Sequence, residues 1–161
     1  MRFLLLPMLA LVALAACSGA TPPASGGISP TVPAPVPGFA DPFQNLLNAE
    51  RANQARGPLS QDTRLANAAQ GHAYDMSINS FFSHTSSDGR TLGNRISATG
   101  YNYCWAGENI AQGQNSQAAV FSAWMNSAPH RANMMSGQPT EFGFAQAPGN
   151  YWVLVLARPG C

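Results

Sequence analysis

The chain has 161 residues, eight basic against seven acidic side chains, and a formal charge of +1. Charged residues make up only 9%, against about 25% in an average soluble protein, and no basic stripe marks it as an electrostatic binder of nucleic acid. All the basic residues are Arg, so Schiff-base, P-loop and lysine-base chemistry are excluded.

Met1-Arg2 is followed by an apolar run, Phe3 to Ala16, broken only by Pro7. As a helix it would reach about 21 Å, short of the ~30 Å hydrocarbon core. It reads as a signal peptide over 1–16 and not as a membrane span. The run ends in Leu14-Ala15-Ala16-Cys17, which resembles the lipobox of bacterial lipoproteins. That resemblance implies lipidation of Cys17, and Ser18 after it favours an outer over an inner membrane. The plainer alternative is an ordinary small-residue cleavage site with an incidental Cys. Residues 17–40 then form a tether with Pro22, Pro23, Pro30, Pro33, Pro35 and Pro37. It lacks apolar periodicity and cannot offset its ordering entropy by burial, so an extended spacer is expected.

The domain spans 41–161. Asp41-Pro42 caps and opens a helix carrying Phe43, Leu46, Leu47 and Glu50, with Gly57 expected to stop it. Ser60 or Asp62 starts a second helix, whose stripe is Leu65, Ala69, His72 and Met76. That spacing makes His72 a core-edge histidine satisfied by hydrogen bonds. A loop over 79–89 ends in the turn pair Asp88-Gly89, and a short helix covers 91–97. Part of 101–111 is a strand. Ser116 caps a helix burying Val120 and Trp124, and Pro129-His130 opens a short turn. Phe142 to Ala145 and Tyr151 to Ala157 are strands joined by Pro148-Gly149-Asn150. Helices first and antiparallel strands last define an α+β class.

Three Cys occur, at 17, 104 and 161. With Cys17 claimed by lipid, Cys104 and Cys161 are left in a compartment that permits disulfides. A bridge would close a loop of about 58 residues and contribute roughly 4 kcal/mol by chain entropy. Two free thiols are the alternative.

Few residues can carry chemistry. Ser127, His130 and Asp75 or Asp88 make a hydrolase triad only on paper, with no nucleophile elbow. Cys104 as a nucleophile competes with the bridge. No zinc motif is present. His84, Glu108 and His130 remain, each expected in a loop or at an element end, and two imidazoles with a carboxylate are ligands that an open metal site uses.

The residues also carry a pattern. Phe82-Ser83-His84 leads to Asp88-Gly89 and Arg95, then Gly107-Glu108-Asn109-Ile110-Ala111. Trp124 to Met135 includes Pro129-His130-Arg131-Ala132-Asn133, and Thr140 to Phe144 and Tyr151 to Val155 complete the set. Together these resemble the CAP superfamily of cysteine-rich secretory, antigen 5 and pathogenesis-related class 1 proteins, in its bacterial SCP-domain branch, over about residues 43 to 157.

The resemblance implies a three-layer α–β–α sandwich with a central, mainly antiparallel sheet. It also implies a cleft of two His and two Glu that in several members holds a divalent ion. The cleft positions fall on His84, Glu108 and His130. Ser127 stands where the family has its second Glu, three residues after Trp124, which removes a charge and a strong ligand. Glu141 belongs to a separate block and has no place in this set. Each cleft residue also has a structural reading: Glu108 accepting backbone N–H groups after Gly107, and both histidines as structural hydrogen-bonders.

Three functions follow as expectations. The first is a lipid-anchored, non-enzymatic binding module of the cell envelope, taking a small apolar ligand or an envelope partner. The second is a metal-dependent hydrolase of peptide or envelope polymer, with His84, His130 and Glu108 on zinc or another divalent ion. The third is a structural envelope protein with a vestigial cleft. Export to the outer membrane, a monomeric state and no nucleic-acid partner complete the expectations.

Overall fold

The computed structural model describes residues 41–161. The expected signal peptide, the Cys17 lipidation site and nearly all of the tether lie outside the described residues. Helix α1, Pro42–Asn53, starts as the sequence predicts: Asp41 accepts the Phe43 N–H at 2.9 Å, and Pro42 takes a position whose missing N–H costs nothing. It ends before Gly57. Ala55 adopts φ 53° as the left-handed residue, with Arg56 N–H returning to the Arg51 carbonyl and Ala55 N–H to that of Ala52. This is a Schellman stop built on alanine, and the buried Arg51 side chain holds it by donating to the carbonyls of Gly57, Met134 and Ser136.

Ser60–Gln61 forms β1, a two-residue strand too short to leave a periodic signal. Asp62 then caps α2, Thr63–Ile78, through the N–H groups of Arg64 and Leu65. Leu65, Ala69, His72 and Met76 are all fully buried, as their spacing predicts. Helix α3, Leu92–Ala98, opens on a reciprocal capping box between Thr91 and Asn94. Strand β2 is Tyr103–Gln112, and α4, Gln117–Met125, is capped by Ser116. The turn expected at Pro129-His130 is instead a helix, α5, Ala128–Met134, with Pro129 in its first turn. Seven residues carry too few apolar repeats for the period to be read. Strands β3, Glu141–Ala147, and β4, Tyr151–Pro159, close the chain as a hairpin.

The sheet order is β1-β3-β4-β2. The long pairs β2–β4 and β3–β4 are antiparallel, and only the short β1–β3 pair is parallel. Strand β4 reads Tyr-Trp-Val-Leu-Val-Leu-Ala, and its alternate residues serve two cores. Val153, Val155 and Ala157 pack with Ala69, Met76 and Ile96 under α2 and α3. Trp152, Leu154 and Leu156 pack with Phe43, Trp124 and Met134 under α1, α4 and α5. A strand covered on both faces must be apolar throughout, which is why the alternation vanishes here. The result is the expected α+β, three-layer α–β–α sandwich.

Cys104 and Cys161 form the expected disulfide, with Cα atoms 5.3 Å apart. It joins the start of β2 to a residue two positions beyond β4, at the end of the sheet where Tyr103 pairs with Pro159. No helix among the described residues is long and apolar enough to cross a membrane.

Candidate functional site

Strand β2 is an edge strand, and the candidate site is built around it. Glu108 lies within the strand and not in a loop. The same alternation that sends Ile110 into the core under α2 and α3 turns the Glu108 side chain to that face. There it is 8% exposed, and a carboxylate so buried needs hydrogen-bond partners. Arg95 of α3, itself 4% exposed, donates from Nη2 to Oε2 at 2.5 Å, and His84 Nδ1 lies 2.7 Å from Oε1. Glu108 therefore receives side-chain donors, not the backbone N–H groups of its structural reading. A carboxylate oxygen accepts, so this contact places a His84 proton on Nδ1. The hydrogen bond to Glu108 raises the His84 pKa above its ordinary 6.5, against partial desolvation and the Arg95 charge.

Arg95 organises this side of the strand. Its Nη1 donates to the carbonyls of His84 and Arg90 and to Ser86 Oγ. Ser86 in turn lies 3.4 Å from His72 Nδ1, while His72 Nε2 donates to the Ser83 carbonyl at 2.8 Å. His72 is thus the satisfied core-edge histidine that its spacing predicts, with burial lowering its pKa. The loop over 79–89 is held from both ends by one buried network, which places His84.

His130 reaches the strand from the other face. It sits in α5, where its Nδ1 is 2.9 Å from Ser127 Oγ. Its carbonyl accepts from Asn109 Nδ2 at 3.0 Å, and Asn133 donates to Asn109 Oδ1 and to the Glu108 carbonyl. Desolvation lowers the His130 pKa, and the charge of His84 lowers it further. Two imidazoles, one favouring its proton and one shedding it, therefore straddle the edge strand. Ser127 does not cap α5, and its hydroxyl instead orients His130.

Both oxygens of Glu108 are engaged by Arg95 and His84, and position 127 offers a hydroxyl in place of a carboxylate. Among the described residues no three His, Cys, Asp or Glu side chains gather closely enough to hold a metal ion. The expected ligand set of His84, His130 and Glu108 is therefore not assembled as one. Glu108 does not join the two imidazoles as a third ligand. Glu141 is outside the site, as its separate block implied, and accepts from the Tyr101 hydroxyl at the start of β3.

Arg95, Asn109 and Asn133 received no role from the sequence. Each stands inside a block that carried the resemblance. The only signal for Arg95 was its place as a cation beside Ile96 in a short helix, and that does not reveal burial. A second concavity, of about 560 Å³, lies between α1 and α4 and is lined by Pro42, Leu46, Ala49, Ala118 and Phe121 among others.

A three-layer sandwich with His and Glu brought together at the edge of its sheet defines the class: a secretory-type α–β–α domain. Residues 44–156 match the CAP cysteine-rich secretory protein family, to which the chain belongs. The uncharacterized protein YkwD of Bacillus subtilis is 33% identical over 123 residues, 76% of this chain and 48% of that protein. The uncharacterized membrane protein YlbC of the same organism is 32% identical over 62% of this chain and 29% of its own length. The chain thus spans about half or less of these relatives. Among solved structures, an extracellular SCP-domain protein from Bacillus anthracis superposes with a TM-score of 0.70 at 32% identity, covering 72% of this chain and 39% of that one. An outer surface protein of Borrelia burgdorferi shares the fold, with a TM-score of 0.67 at 20% identity over 73% of this chain and 90% of its own.

Proposed function

We propose that this chain is an exported, lipid-anchored CAP domain of the cell envelope that binds and does not catalyse. The observation that carries this reading is the state of Glu108: a carboxylate tied by buried Arg95 and by His84 is neither a free metal ligand nor a free general base. Support for export comes from the lipobox-like Leu14 to Cys17, from the disulfide, and from the extracellular description of the Bacillus anthracis neighbour. The anchor would be a lipid on Cys17, and the tether over 17–40 would hold the domain away from the membrane. The apolar concavity between α1 and α4 favours a small apolar ligand over a charged one.

Titration calorimetry of zinc into the full chain tests the reading, comparing wild type with the His84→Ala/His130→Ala double variant. The expected result is no site of micromolar affinity or better in either protein. Micromolar binding abolished in the double variant would overturn the reading in favour of a metal-dependent hydrolase. An aliphatic amphiphile should raise the melting temperature through binding to the folded state, by RT ln(1 + [L]/Kd).

A further inference from the structure

We propose that His72 latches the loop over 79–89 onto α2, and that a proton taken up by its ring in mild acid lifts this loop and draws His84 away from Glu108. His72 is fully buried, and the loop supplies both of its polar neighbours. Its Nε2 donates to the Ser83 carbonyl at 2.8 Å, which leaves a lone pair on Nδ1. Ser86 Oγ, 3.4 Å from Nδ1, already accepts from Arg95 Nη1 at 3.2 Å and turns its own hydrogen to that lone pair. The closed arrangement is complete only with a neutral ring.

Protonation reverses one of these contacts. Nδ1 becomes a donor, so the ring N–H and the Arg95 N–H both point at Ser86 Oγ, and the buried Ser86 hydroxyl loses the acceptor for its hydrogen. The new charge is also badly placed. Burial opposes it most, and the Arg95 guanidinium of α3 repels it, while Glu108 of β2, the Ser83 carbonyl and Asp75 of α2 attract it. The opposing causes prevail and hold the His72 pKa below its ordinary value. The rest of this core is apolar apart from the phenols of Tyr101 and Tyr151. Hydrating the charge requires a neighbour to move. Helix α2 and the sheet hold each other through that core. Residues 83–87 are held by hydrogen bonds from Arg95 and by Asp75, which accepts from the Ser87 amide and hydroxyl at the surface. Such a segment opens locally at lower cost than a packed core. His84 lies in it, with its carbonyl bound to Arg95, and moves with it.

The test is NMR of the ¹⁵N-labelled full chain in detergent micelles, from about pH 7.5 to about pH 5. Hydrogen exchange, corrected for the intrinsic rate at each pH, is read at the amides of Ser86 and Ser87, which donate to the Arg90 carbonyl and to Asp75. Their opening constant should rise by up to about tenfold per pH unit between the ordinary histidine value and the lower His72 midpoint, because the open loop takes up one proton. The β4 amides should stay protected, and the nuclear Overhauser contact between His84 and Glu108 should fade over the same range. The His72→Gln variant keeps a donor for Ser83 and an acceptor for Ser86 without a titrating ring, and its loop should stay closed throughout. The His84 and His72 midpoints lie on opposite sides of 6.5, so the two rings are told apart. Flat exchange at Ser86 and Ser87 would overturn the proposal. So would a loop transition that follows the His84 midpoint, an equal loss of protection in β4, or an unchanged pH dependence in His72→Gln. If His72→Gln does not fold, the wild-type exchange and the two histidine midpoints decide alone.

Discussion

At Gly143 of β3 the absence of a side chain is a packing requirement. A Cβ there would lie 2.1 Å from the Leu65 carbonyl carbon and 2.2 Å from the Ala66 nitrogen, both backbone atoms of α2 that have no rotamer to change. Gly143→Ala should therefore force α2 off the sheet and cost about 3 kcal/mol or more in urea unfolding. Gly71 on the exposed side of the same helix meets no such wall, and Gly71→Ala should stabilise by roughly 0.5–1 kcal/mol through helix propensity. Arg95 presents the electrostatic counterpart. Arg95→Met leaves Glu108 buried without its main counter-charge, and a loss of about 3–5 kcal/mol is expected at neutral pH in the same assay. The histidines give opposite pH signatures. His84 is raised, so its contribution to stability is complete below pH 6.5 and is lost as pH rises through its folded pKa. His72 is lowered, so its contribution is complete above pH 6.5 and is lost as pH falls toward its folded pKa. Proton NMR should place the His84 midpoint above 6.5 and that of His72 below it. Glu108→Gln should bring the His84 midpoint down, and an unmoved midpoint would deny the hydrogen bond its role.

Among the elements, β2 carries the largest responsibility for function. One face of it turns Glu108 to α3, the other turns Asn109 to α5, and its free-edge carbonyls at Glu108 and Ile110 are covered by Asn133 and Trp124. An edge strand covered in this way is protected from pairing with other chains. Its start is fastened by Cys104, and the bridge to Cys161 spans a sequence separation of 57. Cys161→Ser should lower unfolding free energy by about 2–4 kcal/mol, since the cross-link restricts the unfolded chain. Hydrogen exchange should localise the added opening to the β2–β4 pairs around Tyr103 and Pro159. Uniform exchange across the sheet would show that the bridge does not act at that end. Helices α1, α2 and α4 are legible as elements because each has a cap and a buried stripe. Strand β1 and helix α5 are too short for either period to emerge.

On the scale of the whole molecule, two cores share one sheet, and the site lies where its edge meets the helices of both layers. Residue order alone is enough for the α+β class, the caps at Asp41 and Ser116, the buried setting of His72, and the pattern that marks the CAP family, while the structure chooses Asp62 over Ser60 as the cap of α2. Those properties are local, or are carried by residue types in a fixed order. Tertiary structure alone decided that Glu108 belongs to Arg95 as well as to His84, because the partner lies on a different element and burial of an arginine has no signature in composition. It also decided that His84 and His130 approach from opposite faces of one strand. A ligand set requires side chains to converge on a point, and spacing along the chain sets no distance between groups carried by different elements.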